Sequence, residues 1–403
     1  MSAVSNLEIP LMEKIALHLE PVIIVFMWCF AFFRSENKKV MDYGMIASLL
    51  LFFLLALVTT LINSDATNYQ PTLISCLYIL QFTVYLSIVL LIPFYIRSEK
   101  EVSNSFKMLF ILYLFNLVVS LKILLSGENV SRGGAYISGN VYVDPLKYAG
   151  RGFRRLTGGW SDNANTLGGY MGSSILFYFY LITSYKKPIS KIIIMGLVCI
   201  SLTALIFTFS RSALLALVSA SVVFLFYSKQ KIPIVLPVIV CFALVSLFLV
   251  DTSAFVDRYW NSTFGRFLEG TPLIKMNPRV AMWVSRFEDV FKEGHFLYGY
   301  GFHTKMIDNL YLDILYSSGI LVLLAFLSFI FTVIKKLLLN IKIGKNKFMG
   351  ITALSIFVLL LVQNLFGSYY ASTRIIPHLA FVGLYFSSLG ISDIKSMKSK
   401  ETT

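Results

Sequence analysis

The sequence predicts an all-α polytopic membrane protein, and three observations predict it. Hydrophobic residues make up 57% of the chain and charged residues 14%, where a soluble domain carries about a quarter charged residues. The apolar residues gather into runs of about 18 or more, long enough to cross a hydrocarbon core of about 30 Å as helix. Basic residues recur in alternate short loops, the pattern that marks cytoplasmic sides. We count eleven such runs, within a range of 10–12 spans, in a single integral membrane domain over 1–403.

Taken in order, the first run covers 14–33. It follows Glu8, Glu13 and Lys14, where a cleavable signal would have a basic start and a small-residue cleavage site. The expectation is that this span stays in the protein. Runs 43–63, 73–96 and 108–126 come next, then a polar segment over 127–166. Four runs follow at 167–185, 192–209, 211–227 and 232–250, then a second polar segment over 251–309. The last three are 310–334, 349–366 and 375–391. Cys29, Cys76, Cys199 and Cys241 all fall inside apolar runs, so they read as small buried or lipid-facing side chains with no disulfide framework.

The net charge of +14 is explained by topology, and nucleic acid is not an expected partner. Arg34, Lys38 and Lys39, then Arg97, Lys100 and Lys107, then Lys186, Lys187 and Lys191, then Lys229 and Lys231 mark alternate loops. The series continues from Lys335 to Lys347 and ends with Lys395, Lys398 and Lys400. Loops 64–72 and 367–374 hold no base and one base. Eleven spans then place the N-terminus outside and the C-terminus inside, with 127–166 and 251–309 as large extracytoplasmic loops. The inner loops are nearly all lysine, whereas the outer side is rich in arginine, including Arg154, Arg155, Arg211, Arg279, Arg286 and Arg374. Topology needs only positive charge, so a preference for the planar fork that grips phosphate points to an outer anion site. Ordinary surface ion pairs are the competing account for any single arginine.

Arg211 lies between two spans joined by almost no loop, so its head sits near the membrane surface or in a cavity. Arg374 precedes the last span close to Tyr369 and Tyr370, which also suit interfacial anchoring. Asn277 and Pro278 announce a helix running to about Gly294, on which Val280, Trp283, Val284, Phe287 and Phe291 form one apolar stripe. That stripe is expected to pack, with Arg279, Met282, Arg286 and Asp289 on the other flank. Arg286 either turns to substrate or pairs with Asp289 at i, i+3. Beyond it, Gly299 and Gly301 free the backbone to turn before His303. Asp308 and His303 are a compact pair for general-base chemistry, although Asp308 or Asn309 can equally cap the next span. Asp313 is expected below the interface, where a carboxylate needs a reason. No phosphate loop, His–Cys cluster or Asp-x-Asp pair is found, so no cofactor is expected and any transfer chemistry is read as metal-independent.

At this point the chain resembles a known family. The many spans, the large outer loop in the C-terminal third, the segments Ser210-Arg211-Ser212-Ala213-Leu214-Leu215 and Asp308-Asn309-Leu310-Tyr311-Leu312 before Ser318-Gly319-Ile320, and Asp162-Asn163-Ala164-Asn165-Thr166-Leu167-Gly168 opening a span are similar to the bacterial O-antigen polymerase and ligase superfamily. The likeness covers roughly residues 160–370 and implies a GT-C-like architecture. It also implies glycan transfer between undecaprenyl-pyrophosphate-linked oligosaccharides at the outer, periplasmic face of the bacterial inner membrane. Within it, Arg211 and Arg279 resemble the family's two functional arginines and would neutralise the pyrophosphate leaving group. Arg154, Arg155, Asn165, Arg286, His303, Asn309, Tyr311 and Arg374 are the further substrate-binding candidates. Ligases of this family carry His-Asn-x-Tyr-Leu where this chain has Asp308-Asn309-Leu310-Tyr311-Leu312, which favours a polymerase with Asp308 as base. A ligase and a lipid-linked oligosaccharide flippase are the alternatives, and transporters of that kind often show two related halves that this sequence lacks. By analogy with the family, a chain-length regulator is an expected protein partner.

Overall fold

The computed structural model describes residues 23–29, 43–63, 72–126, 164–208, 210–228, 278–292, 294–301, 307–344, 346–367 and 375–401. Within them every regular element is a helix, as lipid demands of a backbone that must satisfy its own hydrogen bonds. In chain order these are α1 (23–29), α2 (Tyr43–Ile62), α3 (Thr72–Tyr95), α4 (Glu99–Ser126), α5 (Ala164–Ser184), α6 (Pro188–Phe207), α7 (Arg211–Ser228), α8 (Pro278–Lys292), α9 (Leu310–Ile343), α10 (Lys347–Gln363) and α11 (Ile376–Glu401). The expected runs therefore recur as helices, except that 14–33 is described only at α1 and 232–250 lies outside the described residues. Of the two outer loops, only 164–166 and, in the second, 278–292, 294–301 and 307–309 are described.

Among the described residues six helices are long and apolar enough to cross a membrane: α2, α3 from Ser75, α4 to Lys122, α6, α7 and α9. Two shorter apolar helices, α10 and Ile376–Ile391 of α11, accompany them. α5 is more polar because protein, not lipid, surrounds it, and nearly its whole length from Ala164 to Phe179 is buried. The helices pack as neighbours α7 with α10, α5 with α6, α2 with α9 and α3 with α11, and α10 joins the groups through α9 and α11. Aromatic rings fill the contacts. Phe52 of α2, Phe82 of α3 and Phe326 of α9 lie 5.6 Å from one another, and Phe177 of α5 meets Phe381 of α11 at 5.8 Å.

One expectation is corrected inside α9, because residues 310–334 do not form a single continuous crossing. The 34 residues of α9 would make a rod of about 51 Å, far longer than a bilayer needs. Instead Gly319 adopts φ 83°, ψ 178° and breaks the helix. The rings of Tyr311 and Phe326 then stand 6.2 Å apart, whereas a continuous helix would separate those residues by about 22 Å. The half-helix 310–318 therefore folds back along the end of 320–343. Such a corner strands backbone groups, and the segment 295–301 satisfies them. Tyr300 and Gly301 donate their N–H groups to the carbonyls of Tyr316 (2.9 Å) and Ser317 (2.8 Å), while Ile320 donates to Phe296 (2.9 Å).

The helix ends sort into two groups. At one end the α3–α4, α5–α6 and α9–α10 junctions carry Arg97, Lys107, Lys186, Lys187 and Lys347. They are tied to α11 where Ser387 donates to Ile96 O, Asn346 donates to Ser388 Oγ at 3.1 Å and Lys336 lies 5.1 Å over the Phe386 ring. At the other end stand the start of α5, the α6–α7 turn, the end of α10 and the folded-back half-helix.

Candidate functional site

The α6–α7 turn is built by short polar side chains. Thr208 donates to Leu205 O at 2.6 Å and accepts from Ser210 N at 3.2 Å. Ser210 then caps α7, its Oγ accepting from Ala213 N at 3.3 Å and its carbonyl from Leu214 N at 3.1 Å. Both side chains are buried, while Arg211, the first residue of α7, is exposed. A cation in the first turn faces the positive end of the helix dipole, unfavourable by about 0.3–1 kcal/mol. The helix dipole therefore does not account for an arginine at this position.

Glycines bring α5 against this turn. A Cβ on Gly168 would stand 2.6 Å from Ala213 Cβ, closer than real Cβ atoms come, and a tight 3.3 Å from Ser210 Cβ. One residue on, Gly169 faces Gln363, whose Cδ would lie 2.6 Å from an added Cβ. Gln363 in turn donates to the carbonyl of Asn165 at 2.7 Å. The start of α5, the Arg211 turn and the end of α10 thus form one lip.

The folded-back half-helix completes that lip from the opposite side. Leu310 N donates to Asn364 O at 2.9 Å, and Tyr311 donates through its hydroxyl to Leu361 O at 3.1 Å. Of the two residues able to cap this helix, Asn309 does so: its φ is −158° and its Oδ1 accepts from Leu312 N at 3.0 Å. Asp308 is left exposed beside the cap, and Asp313, one turn further along, is buried at 2% exposure. The structure thus gathers Asn165, Arg211, Asp308, Asn309 and Tyr311 around the end of α10. The Asn309 oxygen and the Tyr311 hydroxyl hold the backbone there.

α8 carries Arg286, and here the expected orientation is reversed in part, because Trp283 of the expected stripe packs but its neighbours on that stripe do not. Val284, Phe287 and Phe291, expected to pack, are exposed, with the Phe287 and Phe291 rings tilted to each other at 4.8 Å between centroids. Trp283, Val290 and part of the other flank face the half-helix. Met282, Trp283 and Val290 join a small cluster with Leu315 and Tyr316, and Arg286 lies with Cζ 5.3 Å over the Tyr316 ring. The physical reason is that half-helix 310–318 offers an aromatic face a guanidinium can cover. Arg286 also pairs with Asp289 at 3.2 Å, the i, i+3 contact the spacing allowed. Tyr316 continues a stack through Tyr300 (4.5 Å) to His295 (4.1 Å). Tyr300 donates to Asp289 O at 3.1 Å, closing α8 onto the corner.

Arg154, Arg155, His303 and Arg374 lie outside the described residues, and of Arg279 only its backbone place, second in α8, is described. Sequence reasoning passed over Gln363 and Asn364, which organise the lip, and His378, which is 3% exposed with its ring 5.7 Å from Tyr170. The available signal was an amide pair ending one apolar run and an imidazole inside another, both unusual in lipid.

No curated protein matches the chain. Residues 196–327 match a family model described as O-Antigen ligase. The matched stretch holds the Arg211 turn, α8, Asp308 to Leu312 and the Gly319 corner. This match supports the chain's membership of the O-antigen polymerase and ligase superfamily.

Proposed function

We propose that this chain is an O-antigen polymerase that moves a growing glycan from undecaprenyl pyrophosphate onto the non-reducing end of a lipid-linked repeat unit at the outer face of the bacterial inner membrane. The observation that carries the reading is Asp308, exposed beside the Asn309 cap, on a half-helix docked to the lip that also holds Arg211. The acceptor hydroxyl oxygen attacks the anomeric carbon of the donor sugar, and the bond to pyrophosphate breaks. The pyrophosphate oxygen takes the bonding electrons while Asp308 takes the hydroxyl proton. Arg211 and Arg279 bind and neutralise the departing pyrophosphate, the electrostatic help that a metal gives elsewhere. Arg286, Arg154, Arg155 and Arg374 are the further anion contacts, and Asn165 and His303 the further polar ones.

The second reading is an O-antigen ligase, favoured by the description of the matching family model. Complementation of a strain lacking its polymerase but retaining the matching repeat-unit genes separates the two. The lipopolysaccharide is resolved by gel for wild type, Arg211→Ala, Arg279→Ala and Asp308→Ala, each checked for membrane expression. The expected result is a ladder of long chains from wild type that collapses to core plus one repeat in the variants. A recipient that already makes the chains, and needs this gene only to join them to lipid A core, would overturn the polymerase assignment.

A further inference from the structure

At the lysine-bearing end, opposite the lip, α4, α5, α6 and α10 enclose a cleft of about 1150 Å³. That is the upper size of a small-molecule pocket, about 300–1,000 Å³ in general. Nothing in the transfer chemistry uses it. Its depth is apolar and aromatic, with Phe106, Phe110, Phe177 and Tyr180, and Phe106 itself is fixed by stacking on Phe177 at 6.1 Å. The rim has two kinds of edge. On one, Ile111 of α4 and Ile193 of α6 line the cleft while 58% and 62% exposed, so it opens sideways toward where acyl chains lie. On the other, Lys107 and Lys347 line the mouth together with Ser103, Ser184 and Asn346, against one carboxylate, Glu99, among the described residues. Lys186 and Lys187, both exposed, follow directly on the lining residues Ser184 and Tyr185.

An apolar cleft open to the bilayer with a basic mouth has the shape and polarity of a phospholipid, tail inward and phosphate at the lysines. We propose that this cleft is a binding site for an anionic phospholipid of the cytoplasmic leaflet. The chemistry required is a phosphodiester carrying net negative charge beside a long acyl chain, and basic pockets between spans on the cytoplasmic side bind such headgroups. A zwitterionic lipid offers the same tail but brings its own cation to the lysines. The cleft sits among the inner halves of α5 and α10, whose other ends hold Asn165 and Gln363, so an occupant braces the helices that form the lip. The lipid site does not depend on which glycan reaction the lip performs.

Native mass spectrometry of the purified full chain, equilibrated with phosphatidylglycerol or phosphatidylethanolamine of matched acyl chains, tests it. Wild type is expected to retain one phosphatidylglycerol in preference to phosphatidylethanolamine. The double variant Lys107→Glu/Lys347→Glu is expected to lose that retention on the order of tenfold. Ser184→Trp, which fills the cleft, is expected to retain neither lipid, and Lys342→Glu, a lysine of the same end outside the cleft, behaves as wild type. Equal retention of both lipids by wild type, an unchanged Ser184→Trp, or a loss in Lys342→Glu as large as in the double variant would each overturn the site. The wild-type comparison stands even where a variant does not fold.

Discussion

At Asn309 the side-chain oxygen is held by Leu312 N, while the neighbouring Asp308 is exposed. Two adjacent polar residues thus separate by role, and substitution distinguishes them. Asn309→Ala removes the cap acceptor and is expected to lower stability by about 1 kcal/mol, with Asn309→Asp restoring most of it. Asp308→Asn is expected to leave thermal unfolding in detergent unchanged and to abolish transfer. Equal melting losses for the two positions would return Asp308 to a structural role. Arg211 stands at the positive end of α7, where the helix dipole does not favour a cation. The sequence made these residues visible because they stand at the mouths of apolar runs, where a charge or a cap is expected to have a role. It left open which residue caps, because that depends on backbone φ at one position.

Among the elements, α9 departs furthest from a simple span. Gly319 sits at φ 83°, ψ 178°, a region essentially confined to glycine, where other residues carry about 1–3 kcal/mol of strain. A Cβ there would also run into the carbonyl of Leu297. Gly319→Ala is therefore expected to lower the melting temperature sharply and to detach the half-helix that carries Asp308. Gly196→Ala in α6, where an added Cβ meets nothing within 4 Å, is expected to be neutral or to stabilise by up to about 1 kcal/mol. Matching melts for the two variants would remove the argument that the Gly319 corner is required. α8 shows a related limit of pattern reading. Its helix was legible from Pro278 and from apolar spacing. Which flank packs was decided by Tyr316, a residue on another element.

Across the whole molecule, the alternation of basic loops assigns one end of the bundle to the cytoplasm, and the packing collects Lys107, Lys186, Lys187 and Lys347 at a common end. Cysteine labelling tests the assignment in a background with Cys29, Cys76, Cys199 and Cys241 replaced by serine. An Asp308→Cys variant is expected to react with a membrane-impermeant maleimide in intact cells lacking an outer-membrane barrier, and Lys187→Cys only after permeabilisation. Labelling of Lys187→Cys in intact cells would invert the topology and move the lip to the cytoplasm. By itself the sequence determined the helical class and the apolar runs, because hydropathy is a sum along the chain and lipid acts on that sum, while the sidedness of the short loops is the expectation that labelling tests. It also marked Arg211 at the junction of two runs, and Asp308 and Asn165 in the polar segments that lead into spans. Only the tertiary structure decided that α9 turns back at Gly319 and that Gln363 and Asn364 join α5 to the half-helix. The reason is that a helix break within an apolar run persists only where another segment satisfies its backbone, and that partner, 295–301, meets the corner through main-chain groups that every sequence shares.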